Sequence, residues 1–114
     1  MPKGDSLGEF ELIVLLAVLR LGDGDAYGMQ VRREIAERTG RDVSIGAVYT
    51  TLDRLESKGF VRSEAGEATA VRGGKAKRVF AVTLDGKHAI ENSQRAVRSM
   101  LEGLKLNFCG AKRL

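Results

Sequence analysis

A nucleophile or a general acid–base group needs a poised side chain beside a partner, and this chain of 114 residues offers one histidine and one cysteine. His88 stands between Lys87 and Ala89, reads as a solvated surface side chain and has no metal-ligand spacing around it. Cys109 lies close to the C-terminal end and reads as a free thiol; a single cysteine builds neither a disulfide framework nor a cysteine-rich metal site. Gly22-Asp23-Gly24 and Gly73-Gly74-Lys75 are glycine-rich, but neither has the spacing that cradles nucleotide phosphates. No dense carboxylate cluster supplies an acid–base pair. The sequence therefore predicts no enzyme, no cofactor and no metal.

Charge is the chemistry that remains. Lys and Arg number 19 against 15 Asp and Glu, a net +4, yet residues 1–57 carry a net −3 and residues 58–114 a net +7. Lys58 to Arg78 alone holds a net +4, and Arg72, Lys75, Lys77 and Arg78 stand in a stretch, 68–84, that contains no acid. Lysines and arginines grouped in this way release counterions when they meet a phosphate backbone. The same segment also suits an acidic protein surface, so a protein-interaction module without DNA binding is the alternative.

These side chains need a scaffold, and the composition supplies one: 43% apolar and 30% charged residues suit one folded domain. The apolar run Leu12 to Leu19 falls far short of the roughly 20 residues that cross a bilayer. The start Met1-Pro2-Lys3-Gly4-Asp5 lacks the features of a secretory signal, so a cytoplasmic protein with no membrane partner is expected. Residues 7–21 are apolar nearly all round and predict a central helix. After Gly22-Asp23-Gly24, Asp25 is expected to cap a second helix over 26–39, with Tyr27, Val31 and Ile35 as its stripe and Gly40 as its stop. Gly28 inside that helix costs propensity, which points to close packing against another helix.

Arg41-Asp42-Val43 makes a short turn, and Ser44 is expected to cap a third helix over 45–58. At 100° per residue, Ile45, Val48, Leu52 and Leu55 share one side; Gly46, Thr50, Asp53 and Ser57 lie opposite, with Tyr49 and Arg54 on the flanks. A strand beginning at Phe60, a glycine- and alanine-rich loop over 65–76 and a returning strand over 78–82 predict a hairpin with a basic tip. Thr83 is expected to cap a last helix reaching about 105, with Ile90, Val97, Met100, Leu101 and Leu104 as its apolar positions. A small domain covers such a stripe poorly, so dimerisation through it is expected rather than packing on its own core. The fold class is mainly α with a small antiparallel β-hairpin.

A helix held out by a short helix–turn–helix fits a major groove about 12 Å wide. The third helix suits that role: Gly46, Ala47 and Thr50 permit close approach, its amide-rich start after Ser44 favours a phosphate, Thr50 and Thr51 can bond bases or backbone, and Arg54 can reach phosphate or guanine. Asp53 and Glu56 oppose it, because both repel a nucleic-acid backbone.

Leu7-Gly8-Glu9-Phe10-Glu11, Tyr27-Gly28-Met29-Gln30-Val31 and the run Ser44 to Val61, with its Gly-x-x-Tyr-x-x-Leu-x-x-Leu-Glu-x-x-Gly spacing, closely resemble the PadR family of winged helix-turn-helix transcriptional regulators. The resemblance continues through Arg78-Val79-Phe80 and Thr83 to Lys87, about residues 7–104 in all, and the short C-terminal part is similar to the subgroup with one dimerisation helix. It implies a winged helix-turn-helix DNA-binding domain over 1–83 and a dimerisation helix and tail over 84–114. It further implies a homodimeric repressor on a palindromic operator in double-stranded DNA, in many relatives released by a small-molecule effector. Ser44, Tyr49, Thr50 and Arg54 would then fall on the DNA-reading helix, and Lys75, Lys77 and Arg78 on the wing. Relatives commonly carry proline after the motif tyrosine, where this chain has Thr50.

Overall fold

Thirteen residues with almost no polar side, Glu9–Leu21, form α1 in the computed structural model, which describes residues 7–66 and 77–106. The helix begins two residues later than the apolar pattern suggests because Glu11 turns back on the entry. Its Oε1 accepts from the Gly8 N–H at 2.9 Å, half of a capping box. Val14, Leu15, Ala17 and Val18 are buried, and every other element packs around them.

The second helix, α2, spans Gly28–Thr39 rather than 26–39, and Asp25 does not cap it. Tyr27 takes the N-cap position with extended backbone and no side-chain cap. The reason is long-range pairing. The Phe80 N–H donates to the Ala26 carbonyl at 3.0 Å and Tyr27 bridges Val79, so residues 26 and 27 are held as a strand edge and cannot be helical. Val31 and Ile35 are buried as the stripe requires, and Gly40 ends the helix in the left-handed region, φ 74°.

The third helix, α3, is Ile45–Ser57, and Ser44 Oγ accepts from the Ala47 N–H at 3.0 Å as expected. Val48, Leu52 and Leu55 are fully buried, while Gly46, Thr50, Asp53 and Ser57 face outward. Strands β1, Val61–Ala65, and β2, Arg78–Val82, pair antiparallel with Ser63 opposite Phe80. Phe80 drives the hairpin onto α1, its ring wholly buried.

The last helix, α4, spans Leu84–Leu101, capped by Thr83, whose Oγ1 accepts from the Gly86 N–H at 3.0 Å and donates to the Gly59 carbonyl at 2.6 Å. It stops short of 105 because Glu102 leaves helical geometry and Gly103 takes a left-handed φ of 83°. Its first two turns dock on the body through Gly86, Ala89 and Ile90. From Gln94 to Leu106 every residue is exposed.

Candidate nucleic-acid interface

Two arginines hold the turn that aims α3. Arg32 of α2 donates through Nε to the Val43 carbonyl at 2.6 Å, and its Nη2 lies 3.5 Å from Asp42 Oδ1. Arg41 reaches Glu9 on α1 at 2.8 Å. The sequence pattern did not mark these arginines, because their partners lie 10 to 32 residues away. The helix is also held at its far end. Lys58, the residue that ends α3, places its Nζ 3.0 Å from both carboxylate oxygens of Glu11. Burial pushes the Glu11 carboxyl up, but the Gly8 N–H, the bonded Lys58 and the charge of Arg54 together hold it below its ordinary value.

Thr50 and Arg54 are exposed on α3, with Gly46 and Ala47 near its start beside Ser44. This arrangement gives a shallow outer surface at the positive end of a helix dipole. Two expectations change. Thr51 is only 5% exposed and faces the core, so it is unavailable to DNA. Tyr49 is half-buried, and its ring occupies the space beside Gly28 that a Cβ would need. The glycine in α2 is thus explained by helix packing, as its position predicted, and its partner is the motif tyrosine of α3.

Asp53 and Glu56, the two acids set against a backbone, are both paired. Arg78 at the start of β2 places Nη1 3.1 Å from Asp53 Oδ1 and Nη2 2.8 Å from Glu56 Oε1, and also donates to Ser63 Oγ at 3.3 Å. Ser63 in turn donates to Glu56 Oε2 at 2.8 Å. The guanidinium lies over the Phe80 ring, 4.9 Å from its centroid. Lys77 lies next to it, with Nζ 5.5 Å from the centre of the Tyr27 ring. Arg72, Lys75 and Cys109 lie outside the described residues.

The predicted dimerisation stripe divides. Ile90 is 7% exposed and belongs to the chain's own core, a correction that follows from α4 docking through its first turns. Val97, Met100 and Leu101 are exposed on α4, Met100 at 78%, and Leu104 is exposed too but lies past the end of the helix rather than on it. His88 is exposed, as a solvated histidine should be. Among the described residues no group of three or more His, Cys, Asp or Glu is placed to hold a metal ion, and no helix is long and apolar enough to cross a membrane.

Comparison with known proteins bears on this geometry. The family model described as "Transcriptional regulator PadR-like family" matches residues 15–92. Transcriptional regulator Rv3488 of Mycobacterium tuberculosis is 35% identical over 78 residues, 68% of this chain and 68% of that protein. A PadR family transcriptional regulator from Eggerthella lenta superposes with a TM-score of 0.65 at 22% identity, covering 80% of this chain and 76% of the other. A PadR family transcription regulator from Clostridium difficile R20291 gives 0.58 at 26% identity, covering 79% and 93%. The four helices and two-stranded hairpin match these winged-helix neighbours.

Proposed function

We propose, from the premise that this chain belongs to the PadR-like family of transcriptional regulators, that it is a sequence-specific DNA-binding repressor. It acts as a homodimer on a palindromic operator and is released by a small-molecule ligand. The observation that carries this reading is α3. Its inner face is fully buried and its outer face is small and polar around Gly46, Ala47 and Thr50, so the helix can enter a major groove without unfolding anything behind it. Ser44 caps the end that would meet a phosphate, and Arg54 stands on the same exposed side.

The wing supplies the sequence-independent part. Lys77, together with Arg72 and Lys75 in the basic segment, neutralises phosphates beside the groove that α3 reads. Two copies place their third helices in successive grooves, roughly 34 Å apart, when the exposed stripe of Val97, Met100, Leu101 and Leu104 joins them.

Genomic DNA fragments passed over the purified protein at moderate salt test the reading, with footprinting of what is retained. Retention of a small set of inverted repeats is expected, at a protein mass in solution of twice the chain. A dimer that retains no DNA, or a complex with an acidic protein in its place, would replace the repressor by the interaction module.

A further inference from the structure

We propose that Arg78 is a positioning residue that clamps the wing to the reading helix and masks that helix's acids, and that it is not a phosphate contact. The DNA-facing half of this inference rests on the function proposed above; the clamp itself does not.

The basic segment invites the opposite view, since Arg78 stands beside Lys77 at the foot of an acid-free stretch. Geometry separates the two neighbours. Lys77 faces the Tyr27 ring, whereas Arg78 has two carboxylates near 3 Å, Asp53 and Glu56, both on α3. One guanidinium against two carboxylates leaves its immediate surroundings net negative. A DNA phosphate brought there meets repulsion unless one of the pairs breaks.

Arginine is the residue type that this position demands. A planar fork can bond two carboxylates at once while its face rests on an aromatic ring, and the ammonium of lysine cannot. Here the face rests on Phe80, which is wholly buried and fixes the plane. Ser63 of β1 closes the network by donating to Glu56 and accepting from Arg78. Three elements, α3, β1 and β2, thus meet at one guanidinium, and the angle between the helix and the wing is set there.

Two consequences follow for binding. Removing Arg78 exposes two uncompensated acids on the surface that enters the groove, and it frees the wing from α3. Because each pair is partly solvent-exposed, the loss of folding stability is small by comparison. An effect larger on DNA affinity than on stability marks this role: the part that removing the acids reverses is the masking, and the part that it does not reverse is the clamp.

The test uses the full chain and the DNA fragment that the wild type retains best, with four variants: Arg78→Ala, Arg78→Lys, Asp53→Asn with Glu56→Gln, and Arg78→Ala combined with both. Arg78→Ala is expected to weaken binding about tenfold, while the acid double variant alone shifts it less than about twofold. The combined variant is expected to recover only the part of the loss that the bare acids cause, and Arg78→Lys, which restores the charge but not the fork, to recover a similar part. If the acid substitutions change affinity by the same factor in both backgrounds, or if lysine restores full binding, Arg78 contacts phosphate and the clamp is wrong. The same cycle is read on the free protein by urea unfolding, where Arg78 and the acids should couple. Additive effects there overturn the clamp whatever the DNA does. Coupling there in a wild type that retains no DNA leaves the clamp standing and removes the repressor.

Discussion

Ser44 and Thr83 start α3 and α4 in the same way, each hydroxyl accepting a backbone N–H of the first turn at 3.0 Å, yet the two helices offer opposite faces to a partner. In α3 the apolar side is sealed by α1 and the hairpin, and the polar side is left outward with Asp53 and Glu56 paired to Arg78. In α4 the seal ends at Ile90. Beyond it Val97, Met100 and Leu101 stand uncovered on the last turns of the helix, and Leu104 is exposed just past its end. Single exposed apolar residues are ordinary, but four so close together in a small domain are not. What each helix can bind is thus decided by which of its faces the rest of the chain has already used.

The largest effect belongs to the exposed end of the chain around α4. Met100→Asp with Leu104→Asp places two charges on the stripe, where the side chains are 78% and 61% exposed in the single chain. Across the two copies of the proposed dimer four apolar side chains are lost, each worth about 2 kcal/mol of burial, so its dissociation constant should rise by roughly a millionfold. Sedimentation should then report a monomer at micromolar concentration while the helical circular dichroism stays at wild-type strength. A dimer that survives would move the pairing surface elsewhere.

The anchored end of α4 gives the next largest effect. A Cβ on Gly86 would run into the Phe60 carbonyl oxygen and stand 2.8 Å from Val82 Cγ1, and a backbone oxygen cannot swing aside. Overpacking of this kind costs about 3 kcal/mol, against which alanine regains about 1 kcal/mol of helix propensity. Gly86→Ala should therefore lower the unfolding free energy by about 2 kcal/mol in urea melts. An unchanged midpoint would mean that α4 is held to the body some other way.

On α3 the matching change is smaller and falls on choice of DNA rather than on folding. Thr50→Ala alters an exposed side chain on the outer face, so stability should stay within about 0.5 kcal/mol. On the reading surface proposed for α3, the sites recovered from a random DNA pool should change at one or a few base pairs, with a discrimination loss of about 1 kcal/mol. An identical site preference would take Thr50 out of the reading surface.

Local spacing foretold much of this arrangement because the causes are local. The Ser44 and Thr83 caps, the buried face of α3 and the bounds of β2 each follow from residues within a few positions of one another. Gly28 was legible as a packing site, though its partner was not. Three misses share one origin, a contact made far along the chain. Asp25 loses its cap because Ala26 and Tyr27 pair with β2 more than 50 residues later. Asp53 reads as a lone acid on the outer face until Arg78, 25 positions on, is seen to pair with it. Ile90 fits an exposed stripe by period alone, and only the docking of α4 on the body assigns it to the core.

Acid should separate the two helices by a last and smaller effect. Glu11 grips Lys58 at the end of α3, and its folded carboxyl lies below the ordinary value of 4.5, whereas Arg95 in the exposed half of α4 pairs within its own helix, with Glu91 at 3.9 Å. A lowered folded pKa means that the unfolded chain binds the proton more readily, so stability is fully present above the ordinary value and drains as pH falls through the folded one. The Glu11→Gln variant keeps the size of the side chain and removes the titration. At neutral pH it should be less stable than the wild type by about 1 kcal/mol, the scale of a hydrogen-bonded charge. As the pH drops below 4.5 that gap should close, because the wild type loses what the variant never had. Paired urea melts at pH 7 and at about pH 3.5 measure the gap directly. A gap that stays constant with pH would assign the grip to packing rather than to charge, and α3 would then be held at its far end as α4 is held at its start, by shape.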